Sequence, residues 1–537
     1  MVRKNKNKQY FIAFFLIAGL GLSLWRNFDP FICAAGSIPI QHNGRVKSLE
    51  AFSRETVRLV SGKETWQGRP ALLFILDNLA SPNNFMEIPW VRVDYPELKI
   101  MLHLSTEEKY FPYAKLAPSF QAISSLAQSA QVKRDSDQRP SKLEQKAEVL
   151  YSTLVTIDQL AHGEMIKVIP TSLEAGWESP YVGTRPIAKT FNKMMTVYAS
   201  GAKQSFSEQA KRWAWNVDAT LASSITERIN LEVFYYRVQP FQYAWMLYLV
   251  AFVLFMFPEK RILLHFAGAI AFLMGFLFHT AGLVLRVLIL ARPPVSNMYE
   301  SMIFMNWILI ICAGIYFLIK KNNYLLSTAA ITSAVIMIYA NLLPVDSSME
   351  VLAPVLRTNY WLILHVMTIV SSYGILALGM ALGHRHLFLD AFQRFNQETE
   401  AASAHVINRL LQAGLITLGI GTVLGGVWAN ESWGRFWGWD PKETWALITF
   451  LGYMVVVHLR HAHKITDFGL ALSAVLGFLL VLMTWYGVNF LLGRGLHSYG
   501  FGAGGVQWIV YYLIFEVGFF GLVMVRKSKT PTQPLLQ

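Results

Sequence analysis

The alternation of apolar and polar stretches divides this chain into three unequal parts. A basic MVRKNKNK precedes an apolar run from Tyr10 to about Trp25, and no small-residue cleavage site follows it. That pattern predicts an uncleaved membrane anchor over 1–29. Residues 30–240 are mixed, with Pro, Asn, Asp and Glu throughout. They predict a soluble domain long enough to bury its own core. Helical spacing is visible near 116–131, 141–162 and 188–235, and pieces such as ALLFIL at 71–76 read as strand-like. The domain is therefore expected to be mainly helical. From 241 to about 530 apolar runs of bilayer-crossing length recur, and they predict helices near 242–257, 263–290, 301–319, 324–343, 360–382, 408–428, 443–460, 468–491 and 506–525. The expected fold is an all-α polytopic membrane protein of about ten transmembrane helices, with a mainly helical extracytoplasmic domain between the first and second.

Charge orients this layout. With the N-terminus inside, Lys260, Arg261, Lys320, Lys321, Arg385, Arg394, Arg460, Lys464, Arg526 and Lys527 all fall inside, while the short outside loops hold Arg292, Arg357, Arg435, Lys442 and Arg494. The bias follows the positive-inside rule. Both termini are thus expected in the cytoplasm and the 30–240 domain outside. The net charge of +13 is then a topology signal, and no basic cluster with interleaved aromatics suggests nucleic acid. The two cysteines, Cys33 and Cys312, form no CxxC or CxxCH, which argues against a thiol oxidoreductase or a c-type cytochrome.

The densest chemistry lies in WGRFWGWDPKETW, 433–445. Trp433, Trp437 and Trp439 offer broad flat faces, and Asp440 adds a negative charge beside them. One reading is an interfacial aromatic belt. A belt spreads its indoles over many helix ends, whereas this cluster suits a large planar ligand. The predicted topology brings His365 and His497 to the same outer face. Each alone reads as a hydrogen-bonded residue at a helix end. Together beside the indoles they read as axial ligands to haem iron.

This constellation resembles the CcsA family of cytochrome c synthesis proteins, also called ResC, within the haem-handling WWD superfamily. The resemblance covers roughly 240–525. It is carried by WGRFWGWDPKETWALI and by HTAGLVLR at 279–286, PPVSNMYES at 293–301, LHVMTIVSSYG at 364–374 and GLHSYG at 495–500. It implies that the tryptophan loop binds haem b, as substrate, on the outer face between two external histidines matching His365 and His497. The haem is then joined through thioether bonds to the CxxCH cysteines of an apocytochrome c. The family also holds haem on its way outward on histidines within the membrane, and His458 matches one of these by position. A snorkelling interfacial residue beside Arg460 is the other reading of His458. Its partner is His265, His279 or a residue of a separate ResB-like chain. The segment 37–63 looks like a module that precedes the CcsA part in some fused bacterial versions. His42 and Arg45 within it either contact substrate or simply form a turn.

The expected activity is that of a cytochrome c synthase of the haem-lyase type, working with a ResB-like partner and a separate thiol-reducing system. A haem carrier that forms no bonds is the alternative. An ion or solute transporter fits less well, because no inverted repeat is visible and Arg286 is the one charge that stands out in mid-membrane.

Overall fold

The computed structural model describes residues 28–528 except 137, 139, 172–175, 183–185, 222–224, 259, 321–322, 344–346, 350–359, 396 and 493–505. The apolar run of the expected anchor, and His497, lie outside the described residues.

Two hydrophobic cores organise the chain. The first gathers buried side chains from Ala34 to Leu221. Helices dominate it, among them Leu49–Ser61, Phe120–Asp135 and Lys142–Ala161. Ser48 Oγ caps Leu49–Ser61 by accepting from the Ala51 amide, and Gly62 at φ +71° ends it. Only a residue without a Cβ takes that left-handed turn at no steric cost. The long helical pattern at 188–235 is broken into Pro186–Ala199, Lys203–Leu221 and Ile225–Val238. ALLFIL is a correction: it forms the helix Ala71–Leu79, with Ala71, Leu72, Phe74, Ile75, Leu76 and Leu79 buried. A short, wholly apolar run carries no period, so burial on most sides suits helix as well as strand. Strand is confined, among the described residues, to three two-stranded pairs.

The second core runs from Tyr235 to Val523. Eight described helices are long and apolar enough to cross a membrane, and the chain is an all-α polytopic membrane protein. The helix Pro441–His461 is not among the eight, since Lys442, Glu443, His458 and Arg460 dilute its end turns. Two spans are longer than their apolar cores predict: Tyr360–Ala391 and Gln397–Trp433. The second absorbs Trp433, the first indole of the loop.

Those two helices pack closely through small residues. An added Cβ at Gly421 would lie 2.8 Å from Ile369, and one at Gly414 2.5 Å from Leu376. Such notches allow backbones to approach where lipid supplies no hydrophobic drive.

The first core docks on the second through charge. In the hairpin Pro39–His42 and Arg45–Ser48, Asn43 and Gly44 turn with φ of 48° and 77°, the paired positive values of a two-residue hairpin turn. Arg45 then reaches Glu232 at 2.5 Å, and Glu232 also accepts from the Ser48 amide at 2.6 Å. Arg237 pairs with Glu50. Arg58 donates to Ser347 Oγ at 2.7 Å, and the Ser347 carbonyl accepts from Arg286. Arg286 does not stand alone among apolar side chains as the hydropathy pattern suggests. It is 1% exposed, pairs with Glu300 at 2.9 Å and donates to Tyr235 Oη at 3.1 Å.

Candidate functional site

The helix Pro441–His461 starts with a complete cap. Asp440 Oδ1 accepts from the Lys442 and Glu443 amides at 2.9 Å each, while Glu443 Oε2 accepts from the Asp440 amide at 3.3 Å and the Gly438 amide at 2.7 Å. Asp, Pro and Glu at N-cap, N1 and N3 are the residues a helix start favours, so this part of the loop is stiff. Asp440 is thus placed as a cap whose negative charge sits at the helix's positive end. Just before it, Trp439 has φ +59° and is 68% exposed. A left-handed tryptophan costs about 1–2 kcal/mol, and here the flanking cap holds it in place.

His365 lies one turn into its helix. Its Nδ1 is 2.8 Å from the Gly421 carbonyl. A carbonyl only accepts, so Nδ1–H donates and the neutral ring keeps its lone pair on Nε2. Metal-ligating histidines are oriented in this way. The ring stacks on Trp428 at 6.3 Å and 8°, and Trp428 meets Trp433 edge-on at 4.6 Å. Gly425 makes the approach possible: a Cβ there would sit 2.6 Å from His365 Cε1.

A cavity of about 70 Å³ joins these parts. His365, Tyr373, Trp437, Lys442, Glu443 and Thr484 line it. The indole nitrogen of Trp437 is buried with no hydrogen-bond partner among the described residues. The far wall comes from Met483–Leu492, where the helix widens to i→i+5 hydrogen bonding, a distortion frequent at functional sites. Thr484 Oγ1 ties it to Pro441–His461 by donating to the Trp445 carbonyl at 2.9 Å.

The structure therefore brings His365 and Trp437 into one cavity, links Trp433 to His365 through Trp428, and leaves Trp439 standing outside. The other histidines lie elsewhere. His279 is fully buried, with Tyr248 Oη 3.3 Å from Nδ1 and the Ile303 carbonyl 3.0 Å from Nε2. His265 contacts the Phe257 carbonyl at 2.9 Å and Asn323 at 3.1 Å. His458 is exposed in the last turn of its helix, with Nδ1 2.7 Å from the Met454 carbonyl. No contact joins any two of these three among the described residues. Trp428, Tyr373 and Thr484 were not foreseen. The one advance signal for Trp428 is its place seven residues after Gly421, on the face that the glycines open toward His365.

A second, far larger cavity of about 1010 Å³ separates the two cores and is lined by His42, Arg58, Tyr235, Trp245, Tyr299 and Ser347, among others. It lies at the same end of the bundle as the tryptophan loop: Ser301, two residues from Tyr299, accepts from Trp485 Nε1 at 3.1 Å. Burial pushes the His42 imidazole down to about 4, helped by the cations of Lys47, Lys167 and Arg45.

A family model described as "Cytochrome C assembly protein" matches residues 295–497, which include the His365 helix, the tryptophan loop and the widened helix. The "Cytochrome c biogenesis protein CcsA" of Guillardia theta is 36% identical over 233 residues, covering 38% of this chain and 76% of that protein. The chain belongs to the CcsA family of cytochrome c biogenesis proteins. The CcsA of Prochlorococcus marinus is 34% identical over 259 residues, covering 41% of this chain and 80% of its own length. "Protein NrfI" of Wolinella succinogenes is 29% identical over 502 residues and covers 86% of this chain. A match that long takes in much of the region before residue 240 as well as the CcsA part. The chain spans about half of NrfI, 53% of its length. A role in cytochrome c biogenesis follows from this membership.

Proposed function

We propose that this CcsA-type chain is a cytochrome c synthase that holds haem b at the tryptophan loop, with His365 and His497 as iron ligands, and attaches it to the CxxCH cysteines of an apocytochrome c. The observation that carries the reading is the His365 imidazole. Its Nδ1–H is fixed on the Gly421 carbonyl, its face is stacked on Trp428, and its ring lines the cavity shared with Trp437. A neutral imidazole that carries its lone pair on Nε2 is the usual protein ligand for haem iron. Trp433, Trp437 and Trp439 supply flat surface for the ring, and Asp440 keeps their loop rigid.

The chemistry asked of the chain is modest. Each substrate thiol adds across one haem vinyl group, sulfur to one carbon and hydrogen to the other, with no net transfer of electrons. Holding both reactants in register supplies most of the advantage. We place the CxxCH segment in the large cavity between the two cores, beside His42 and Arg58, which gives the 30–240 region its task. The loop and that region face the extracytoplasmic side of a bacterial inner membrane, with 1–29 as anchor and both termini cytoplasmic. His458, with His265, His279 or a ResB-like chain as its partner, serves haem on its way outward. The substrate cysteines are kept reduced by a separate system.

The test is co-expression with an apocytochrome in a host lacking its own maturation system. Covalent haem on the CxxCH protein, lost in a His365→Ala/His497→Ala variant, supports the synthase. Free haem co-purifying with no covalent product would make the chain a carrier, and a colourless chain from haem-replete cells would contradict both.

A further inference from the structure

Lys442 is placed against the ordinary preferences of its position. It is the second residue of Pro441–His461, at the positive end of the helix dipole, where a cation is disfavoured. Its side chain is half-buried and lines the same cavity as His365 and Trp437. The hydrogen bond of its Nζ goes to a neutral amide, Asn489 Oδ1, at 3.2 Å. Asn489 is held in turn by its Nδ2, which donates to the Trp485 carbonyl at 3.2 Å. Among the described residues no carboxylate lies within ion-pair distance of Nζ. The two nearest in sequence are engaged with their own cap: Asp440 Oδ1 on two amides, Glu443 Oε2 on two more, and Glu443 Oε1 3.6 Å from Arg435.

A half-buried ammonium whose hydrogen bond goes to an amide, with the capping Asp440 acting on it only through space, still has room for an anion, because a charge leaving water needs close opposite charge to offset its desolvation. The cavity, at about 70 Å³, is the size of a short carboxylate arm and far smaller than the several hundred Å³ of a pocket for a whole drug-sized ligand.

We infer that Lys442 binds a propionate carboxylate of haem, anchoring one edge of the ring against the start of Pro441–His461. The inference rests on the haem reading above and adds to it an orientation. The propionates and the vinyls occupy roughly opposite edges of the porphyrin, so a propionate held at Lys442 turns the vinyl edge away from this helix and toward the incoming thiols. Lys442 is then the residue that decides which way round the substrate sits.

The test titrates the purified full chain with ferric haem and with haem dimethyl ester, which lacks both carboxylate charges, following the Soret band. The wild-type chain is expected to bind haem about tenfold more tightly than the ester. Lys442→Met brings haem affinity down to the ester's level and leaves ester affinity within about twofold, while Lys442→Arg retains most of the preference. Equal binding of haem and ester by the wild-type chain would overturn the inference without any variant. So would a Lys442→Met chain weakened equally for both, which is the mark of a packing role. If His365→Ala leaves the haem titration unchanged, the haem reading fails and this inference with it.

Discussion

The two ends of the helical bundle treat histidine differently. At the loop end, His365 is oriented by another helix's carbonyl, backed by an indole and set in the wall of a cavity. At the opposite end, His458 bonds to the carbonyl four residues back in its own helix and faces outward, and His265 is tied to Phe257 and Asn323. The first arrangement has a supporting shell contributed by several elements. The second holds single histidines, His458 exposed and His265 half-buried, with no contact between them among the described residues. A preformed ligand set requires its orienting groups to come from outside the ligand's own helix, because only then is the ring fixed in two directions.

The comparison can be broken most strongly at Gly425. Gly425→Ala drives a Cβ into His365 and should weaken haem binding at least tenfold, read by Soret titration. Gly469→Ala, at the opposite end, meets its neighbours at an ordinary 3.5 Å and should leave the titration unchanged. Arg286→Met removes the nearer of the two arginines on the buried Glu300 carboxylate and leaves Arg292 at 3.7 Å. Loss of one member of such a pair costs about 3–5 kcal/mol, so the melting temperature of the purified chain should fall by several degrees, with the Soret maximum of the folded fraction unmoved. His458→Ala should change haem binding supplied from outside by less than about twofold while lowering haem occupancy in cells; a large loss in the outside titration would erase the distinction between the two ends. The smallest effect is at His42. Its folded value of about 4 lies below its ordinary 6.5, so the unfolded chain binds more protons between those values. Its contribution to stability is complete above pH 6.5 and lost as pH falls toward 4. A His42→Gln variant should show a shallower fall in melting temperature over that window than the wild-type chain.

Much of the architecture was legible because lipid demands long, uninterrupted apolar helices. The expected span at 263–290 differs from Ile262–Leu290 by one residue at its start, and that at 324–343 from Asn323–Leu342 by one residue at each end. The extension of Gln397–Trp433 was not legible, since its first turns are polar and carry no hydropathy signal. ALLFIL failed for the opposite reason, being apolar at every position. At the site, the dense indoles and the paired histidines singled out the loop and His365, and the fold sets His365 and Trp437 in the wall of one cavity. The sequence did not foretell that Trp428 backs the imidazole or that Gly421 supplies the carbonyl, because both depend on which faces of two helices meet. Asp440 drew notice as a charge among indoles, and its geometry is that of a cap. Lys442 entered the charge pattern only as an outside-loop cation, and its hydrogen bond to the Asn489 amide became visible only in the fold.

The central claim is that His365 is a haem-iron ligand at the loop end. The most direct measurement is the absorption spectrum of a haem-loaded His365→Gly chain with and without added imidazole. The variant should show a shifted and weakened Soret band that imidazole restores toward the wild-type spectrum. A His365→Gly chain with the wild-type spectrum in the absence of imidazole would contradict it.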